Sequence, residues 1–318
     1  LPPLKKAGER GDRLDLARWI VSRENPLTAR VVVNRFWQQM FGVGLVESSH
    51  DFGTQGSLPT HPELLDWLSV SFMESGWDVK GLLRLMLISE TFRQRSAAPT
   101  ESWRAAPDNK WLSRGPRFRL DAEQVRDQAL FVSGLIDLKR GGKGVNPYQP
   151  PNIWEPLAFG GSNTRYYKRS QGGDLYRRTI YTFIKRTAPH PLMENFDMPN
   201  RESSCIRRDR TNTPLQALQL MNDVQHFEAA RAFAARIIAA APGAGDRIDF
   251  AYRTALARHA EPDEIATVAA FAHAQLARYQ AAPDEAKKAI NFGESKPPAD
   301  IDPAELAAWT LVANLLLN

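Results

Sequence analysis

Apolar residues recur at helical spacing along most of the chain. Leu14, Leu16, Ala17, Ile20 and Val21 mark a short amphipathic segment ended by Asn25-Pro26. Thr28 is read as the cap of a helix running to Phe41, with Val32, Val33, Phe36, Trp37 and Met40 on its apolar side. After a Gly-rich polar loop, Thr60 and Glu63 fit a capping box for a helix from His61 to Gly76, and Val79 to Gln94 reads as a fourth helix. Together these predict a helical bundle over residues 1–94.

Residues 95–175 read as a loop-rich connector holding one helix, opened by Asp121 and ending near Gly134. The stretch that follows it is rich in Gly and Pro, yet Tyr148, Trp154, Phe159, Tyr166 and Tyr167 anchor it, which a solvated linker would not need. In residues 176–318, Tyr176 to Thr187 reads as helix and Ala188 to Asn212 as a polar loop. Thr213-Pro214 then announces a long helix to Ala240, with further helices near 246–257, 262–279 and 303–317. The expected fold is all-α, an irregular multi-helix array with two long ordered Gly/Pro-rich loops, its three parts packed as one compact unit.

Composition narrows the function. The 318 residues are 43% hydrophobic and carry a net charge of +5, ample material for a core and inconsistent with disorder. No apolar run reaches the roughly 18 residues of a membrane-spanning helix. The single cysteine, Cys205, excludes an internal disulfide, a Cys-pair zinc ribbon and the Cys-x-x-Cys-His attachment of c-type haem. The N-terminal LPPLKKAGERG lacks the apolar core of a leader, and the last residues stop inside a helical pattern, so the chain reads as a segment of a longer protein. Between Arg165 and Arg210 there are eleven Lys or Arg against five Asp or Glu, so this stretch holds the whole basic excess.

Four clusters could carry chemistry. His50, Asp51, Gln55, Thr60 and His61 could supply a base with its orienting partner, although a cap and an Asx turn explain them as well. Asn34, Arg35, Trp37 and Gln38 combine polar groups with core residues and read most simply as internal hydrogen bonding. Tyr148, Gln149 and Trp154 could stack a sugar ring or a base, or simply pin their loop. The strongest cluster is His190, Asp197, Arg201, Glu202, Cys205, Arg207, Arg208, Arg210, Thr211, Asn212 and Thr213, where guanidiniums approach a capped helix start suited to an anion. Its alternative is an Arg–carboxylate network tying the loop to the bundle. No metal-ligand spacing occurs, and none is expected.

NRFWQQMFGVGLVESSHDFGTQGSLPTHPELLDWLS, GGKGVNPYQPPNIWEP and DLYRRTIYTFIKRTAPHPLMENFDMPNRESSCIRRDRTNTPLQALQLMND together resemble the planctomycete-type PSD domain, domain of unknown function 1553. No established activity comes with that family. The resemblance implies the C-terminal part of a larger exported protein, often preceded by a c-type cytochrome domain and encoded near sulfatase-like proteins, and hence an extracytoplasmic setting. Any haem would sit on an upstream domain, with no cofactor in this segment. The expected partners are those upstream domains and an anionic polysaccharide or oligosaccharide recognised at the basic loop. If the module is catalytic, Asp197 or Glu202 would act as base or nucleophile, His190 or His61 would move the proton, and Arg201, Arg207, Arg208 and Arg210 would hold charge. The alternative is a non-enzymatic docking domain for a cytochrome or cell-surface partner. Nucleic-acid binding, which has the charge but no recognised motif, ranks third.

Overall fold

The computed structural model describes residues 1–4 and 10–318; residues 5–9, inside the N-terminal stretch read for a leader, lie outside the described residues. The described residues form 14 α-helices and no strand, so the fold is all-α. They divide into two compact units, Leu1–Arg119 and Leu120–Asn318.

The first unit holds α1 (Arg13–Ile20), α2 (Thr28–Phe41), α3 (Pro62–Glu74), α4 (Val79–Ile88), α5 (Glu90–Arg93) and α6 (Thr100–Ala105). Val33, Trp37 and Phe41 of α2 pack against Leu65, Leu68 and Phe72 of α3 and Leu82 and Met86 of α4. The connector residues 95–115 fold back onto this unit, Gly115 N donating to Arg95 O and Gln94 Nε2 to Leu112 O. Three local readings change. Thr28 lies inside α2, whose entry is organised by Asn25 Oδ1 accepting from Leu27 N and Thr28 N. Thr60 forms no capping box, because its hydroxyl donates to Leu45 O; Pro62, which has no N–H to satisfy, starts α3 instead. The fourth helix breaks at Ser89, whose extended backbone and hydroxyl cap begin α5.

The second unit contains α7 (Ala122–Ser133), α8 (Pro191–Asn195), α9 (Pro214–Asn222), α10 (Val224–Ala240), α11 (Ala244–Leu256), α12 (Pro262–Ala281), α13 (Pro283–Ile290) and α14 (Pro303–Leu317). Its centre is α10 against α14: Ala230, Phe233, Ala234 and Ile237 meet Leu306, Ala307, Val312 and Ala313, all buried. The alanines let the backbones approach closely. The long helix expected from Thr213 to Ala240 is two helices. Asp223 adopts extended backbone, φ −68° and ψ 130°, and its carboxylate accepts from His226 N to start α10 afresh. Tyr176 to Thr187 is not α-helical: it carries the tail of one 3₁₀ turn and a second turn at Thr179–Tyr181, then runs extended with a lone bridge from Thr182 to Val145. The carbonyls a helix would use, those of Leu175 and Arg177, are taken by the Arg126 side chain, and Thr179 N is taken by Asp127.

A buried carboxylate fastens the loop between α13 and α14. Glu228, fully buried on α10, accepts from Tyr176 Oη at 2.8 Å and from Ser295 N and Oγ at 2.6 Å each. Gly293, at φ +79°, passes so close that a Cβ there would lie 2.1 Å from Glu228 Cδ. Gly293→Ala combines that clash with left-handed strain and is expected to destabilise the unit by about 3 kcal/mol. Urea denaturation measures it; a loss below about 1 kcal/mol would show that the loop tolerates a side chain at this position.

Candidate functional site

The site is built around α7 in the second unit. Asp121 and Gln124 cap the helix reciprocally, and Gly134, at φ +80°, ends it. Helical periodicity divides its side chains. Val125, Arg126, Ala129 and Leu130 face inward, whereas Glu123, Gln124, Asp127, Gln128 and Phe131 line an open groove.

Arg126 is 5% exposed. Its Nε donates to Gln225 Oε1, Nη1 to Arg177 O and Thr179 Oγ1, and Nη2 to Leu175 O, at 2.7–2.9 Å. These bonds hold the irregular segment 175–179 against α7 and α10. Burial lowers its pKa to about 10, with Asp127 and Asp223 opposing, so it stays charged at neutral pH. Arg177 repeats the device one layer out: its guanidinium caps the carbonyls of Lys139, Gly141 and Lys143 and lies over the Tyr181 ring.

The basic loop is tied to the same helix. Arg208 binds Glu123 with both Nη atoms, at 2.5 and 3.0 Å, and Arg210 Nε lies 3.4 Å from Asp121. Burial pushes the Glu123 carboxyl up, but the Arg208 hydrogen bonds and charge outweigh it and hold the group below the usual carboxylate range. Asp197, at φ +59°, accepts from Thr211 N at 2.8 Å and from Thr211 Oγ1, closing the loop on itself. The mouth of α9 is capped from within, since Thr213 Oγ1 accepts from Gln216 N, Gln216 Oε1 accepts from Thr213 N, and Pro214 has no N–H to offer. Glu202, Arg207 and Asn212 are exposed, as is Cys205, and the nearest cation to Glu202 is Arg186 at 3.9 Å.

The other sequence candidates lie elsewhere. Tyr148 and Trp154 are buried, Gln149 is half-buried, and Trp154 packs edge-on to Tyr167, so these residues pin the loop. His50, Asp51, Gln55 and His61 belong to the first unit. There Asp51 Oδ1 accepts from Gly53 N in an Asx turn, and His61 pairs its Nδ1 with Thr60 Oγ1 beside the Trp111 ring. Asn34 bonds both N and O of Val46 inside that unit.

Two features emerge that no single sequence motif marks. Outside α7 lies the groove, about 720 Å³ in volume. Asp121, Glu123 and Asp127 line it together with Arg178, Arg201 and Arg208, so its formal charges balance; Arg208 pairs with Glu123, and Arg178 Nε lies 3.5 Å from Asp127. Its apolar lining includes Phe131, Leu138 and Ile180, each at least 60% exposed. Inside α7 is a cavity of about 10 Å³ bordered by Arg126, His190, Asp223 and His226. Asn222-Asp223 is a polar pair in the helical pattern, but nothing local in the sequence marks His226. Among the described residues no set of three or more His, Cys, Asp or Glu converges as metal ligands.

Burial lowers both His190 and His226 to about 4, so both are neutral in the folded protein at neutral pH. Burial also raises Asp223, against two backbone N–H bonds. Because the histidines take up protons less readily folded than unfolded, their contribution to stability falls as pH drops from about 6.5 to about 4, by on the order of 3 kcal/mol for each ring. Asp223 offsets part of this, since its raised folded value favours protonation of the native state. Denaturation midpoints measured from pH 7.5 to 4.5 are expected to fall steeply, and about half as steeply in His226→Phe; equal profiles in the two proteins would contradict the burial of a neutral His226.

A family model described as PSD1, protein of unknown function (DUF1553), matches residues 12–272. No curated protein and no solved structure matches the chain. With most of its length covered by that model, this chain belongs to the PSD1 (DUF1553) family.

Proposed function

We propose that the chain is a carbohydrate-binding module whose site is the groove on the outer face of α7, working by recognition rather than covalent chemistry. The observation that carries this reading is the grouping of carboxylates and guanidiniums, in equal number and partly ion-paired, in one groove with exposed Phe131 and Ile180. Carboxylates accept from sugar hydroxyls, guanidiniums donate to them, and an aromatic face covers the C–H side of a ring. Arg201 at the groove offers a partner for a carboxylate or sulfate substituent, so an anionic glycan fits if its charges are sparse. A densely charged polyanion such as nucleic acid would meet three carboxylates there.

Glycosidic cleavage needs a carboxylic acid kept protonated near neutral pH. On the groove Glu123 is held the other way, as an ion-paired carboxylate, and Asp223, which burial raises, lines the interior cavity instead. Asp197 is committed to Thr211, and His190 is turned inward onto Tyr148 O. These commitments support binding over catalysis. The extracytoplasmic setting, and a haem-bearing domain upstream, are carried by the family resemblance. Among the described residues no helix is long and apolar enough to cross a membrane.

The docking alternative draws on a different surface. Leu215, Leu218 and Met221 recur every third residue on α9 and are 55–60% exposed, an apolar stripe suited to a protein partner.

Calorimetric titration with neutral, uronic and sulfated oligosaccharides tests the proposal. Phe131→Ala and Arg178→Ala are each expected to weaken binding about tenfold, roughly 1.4 kcal/mol, with Lys287→Ala unchanged. Equal weakening in all three variants, or no saturable binding to any glycan, would remove the groove as a carbohydrate site and leave the docking alternative.

A further inference from the structure

The cavity inside α7 has walls of two kinds. Val125, Ala129, Leu130, Leu192 and Leu220 are aliphatic, whereas His190, His226, Asp223 and Arg126 are polar. Its volume of about 10 Å³ is that of one water-sized centre.

The hydrogen-bonding state of each polar group follows from its other partners. His190 Nε2 lies 2.6 Å from the carbonyl oxygen of Tyr148, an acceptor without a proton, so Nε2 carries the hydrogen and Nδ1 presents a lone pair. His226 Nε2 is buried without a protein partner, and the backbone of Leu317 is the acceptor beside the ring, so we assign the proton to Nδ1 and a second lone pair to Nε2. His190 Nδ1 and His226 Nε2 are both buried without a protein partner. Asp223 contributes a further acceptor, its carboxylate already receiving His226 N. The nearby donors are engaged elsewhere: Arg126 spends four of its five N–H groups on Gln225, Leu175, Arg177 and Thr179, and Gln225 Nε2 donates to Leu175 O. Acceptors therefore outnumber free donors around one small space, and leaving two buried ring nitrogens unsatisfied would be costly.

We propose that His190 Nδ1 and His226 Nε2 together bind one internal water molecule, which donates a hydrogen to each. The ligand class is fixed by the walls: it must donate twice and fit a single-water volume. It must also be neutral, because Arg126 opposes a cation and Asp223 an anion in a space otherwise walled by neutral side chains. Such a water links the Tyr148 loop and the start of α8, both held through His190, to the α9–α10 junction and the end of α14, held through His226.

A crystal structure at a resolution that places ordered waters, taken at pH 7, tests this on the intact chain. One peak is expected within about 2.7–3.2 Å of both nitrogens. Two separate peaks, a dry cavity, a chloride-like peak or a protein donor on either nitrogen would overturn the assignment. Magnetic relaxation dispersion of solvent ¹⁷O gives a second readout in solution: His226→Leu is expected to lose one long-lived water relative to the unaltered chain. An unchanged count would contradict the site. Should that variant fail to fold, the crystallographic result on the unaltered chain decides. Neither measurement depends on glycan binding, so failure here and failure of the groove proposal are separable.

Discussion

One buried cation, Arg126, fixes α7 against the irregular segment 175–179 and so shapes both faces of the site. The Arg126 guanidinium reaches the carbonyls of Leu175 and Arg177, the hydroxyl of Thr179 and the amide of Gln225 at once. Transferring such a charge from water is expensive unless each donor finds a partner, and here irregular backbone supplies the acceptors. The exchange is mutual: segment 175–179 cannot satisfy its own carbonyls as a helix would, and Arg126 does it instead. Once α7 is fixed against this segment, its outer face becomes the floor of the groove and its inner face the wall of the histidine cavity.

Much of the helical framework was legible because it rests on periodicity and capping chemistry. Asp121, Thr213-Pro214 and Pro303 all begin helices as their residue types require. The failures have two causes: short-range caps by Asn25, Ser89 and Asp223 shift or split helices, and distant side chains override the preference of one whole segment. Tyr176 to Thr187 has the aromatic and β-branched content of a regular element, yet Arg126 and Asp127, about 50 residues earlier, claim its backbone groups. The break at Asp223 is local by contrast: a polar residue in an otherwise continuous pattern is the cap of a new helix, whose second residue, Gln225, meets Arg126.

The site shows the same limit. The excess of positive charge between Arg165 and Arg210 is real as arithmetic, but charge counted along a chain says nothing about partners brought in by folding. Arg208 and Arg210 meet Asp121 and Glu123, more than 80 residues away. What reads as a concentrated basic patch contributes Arg178, Arg201 and Arg208 to a groove whose formal charges balance. Tyr148 and Trp154, which resemble a stacking platform in sequence, are interior anchors, whereas Phe131, within a helix, is exposed.

Hydrogen–deuterium exchange on an Arg126→Met variant tests most directly whether this guanidinium orders the site. The account predicts fast exchange across residues 172–184 with α10 and α14 still protected, since their core is independent of the arginine. Protection of 172–184 equal to that of the unaltered protein would contradict the central role assigned to Arg126.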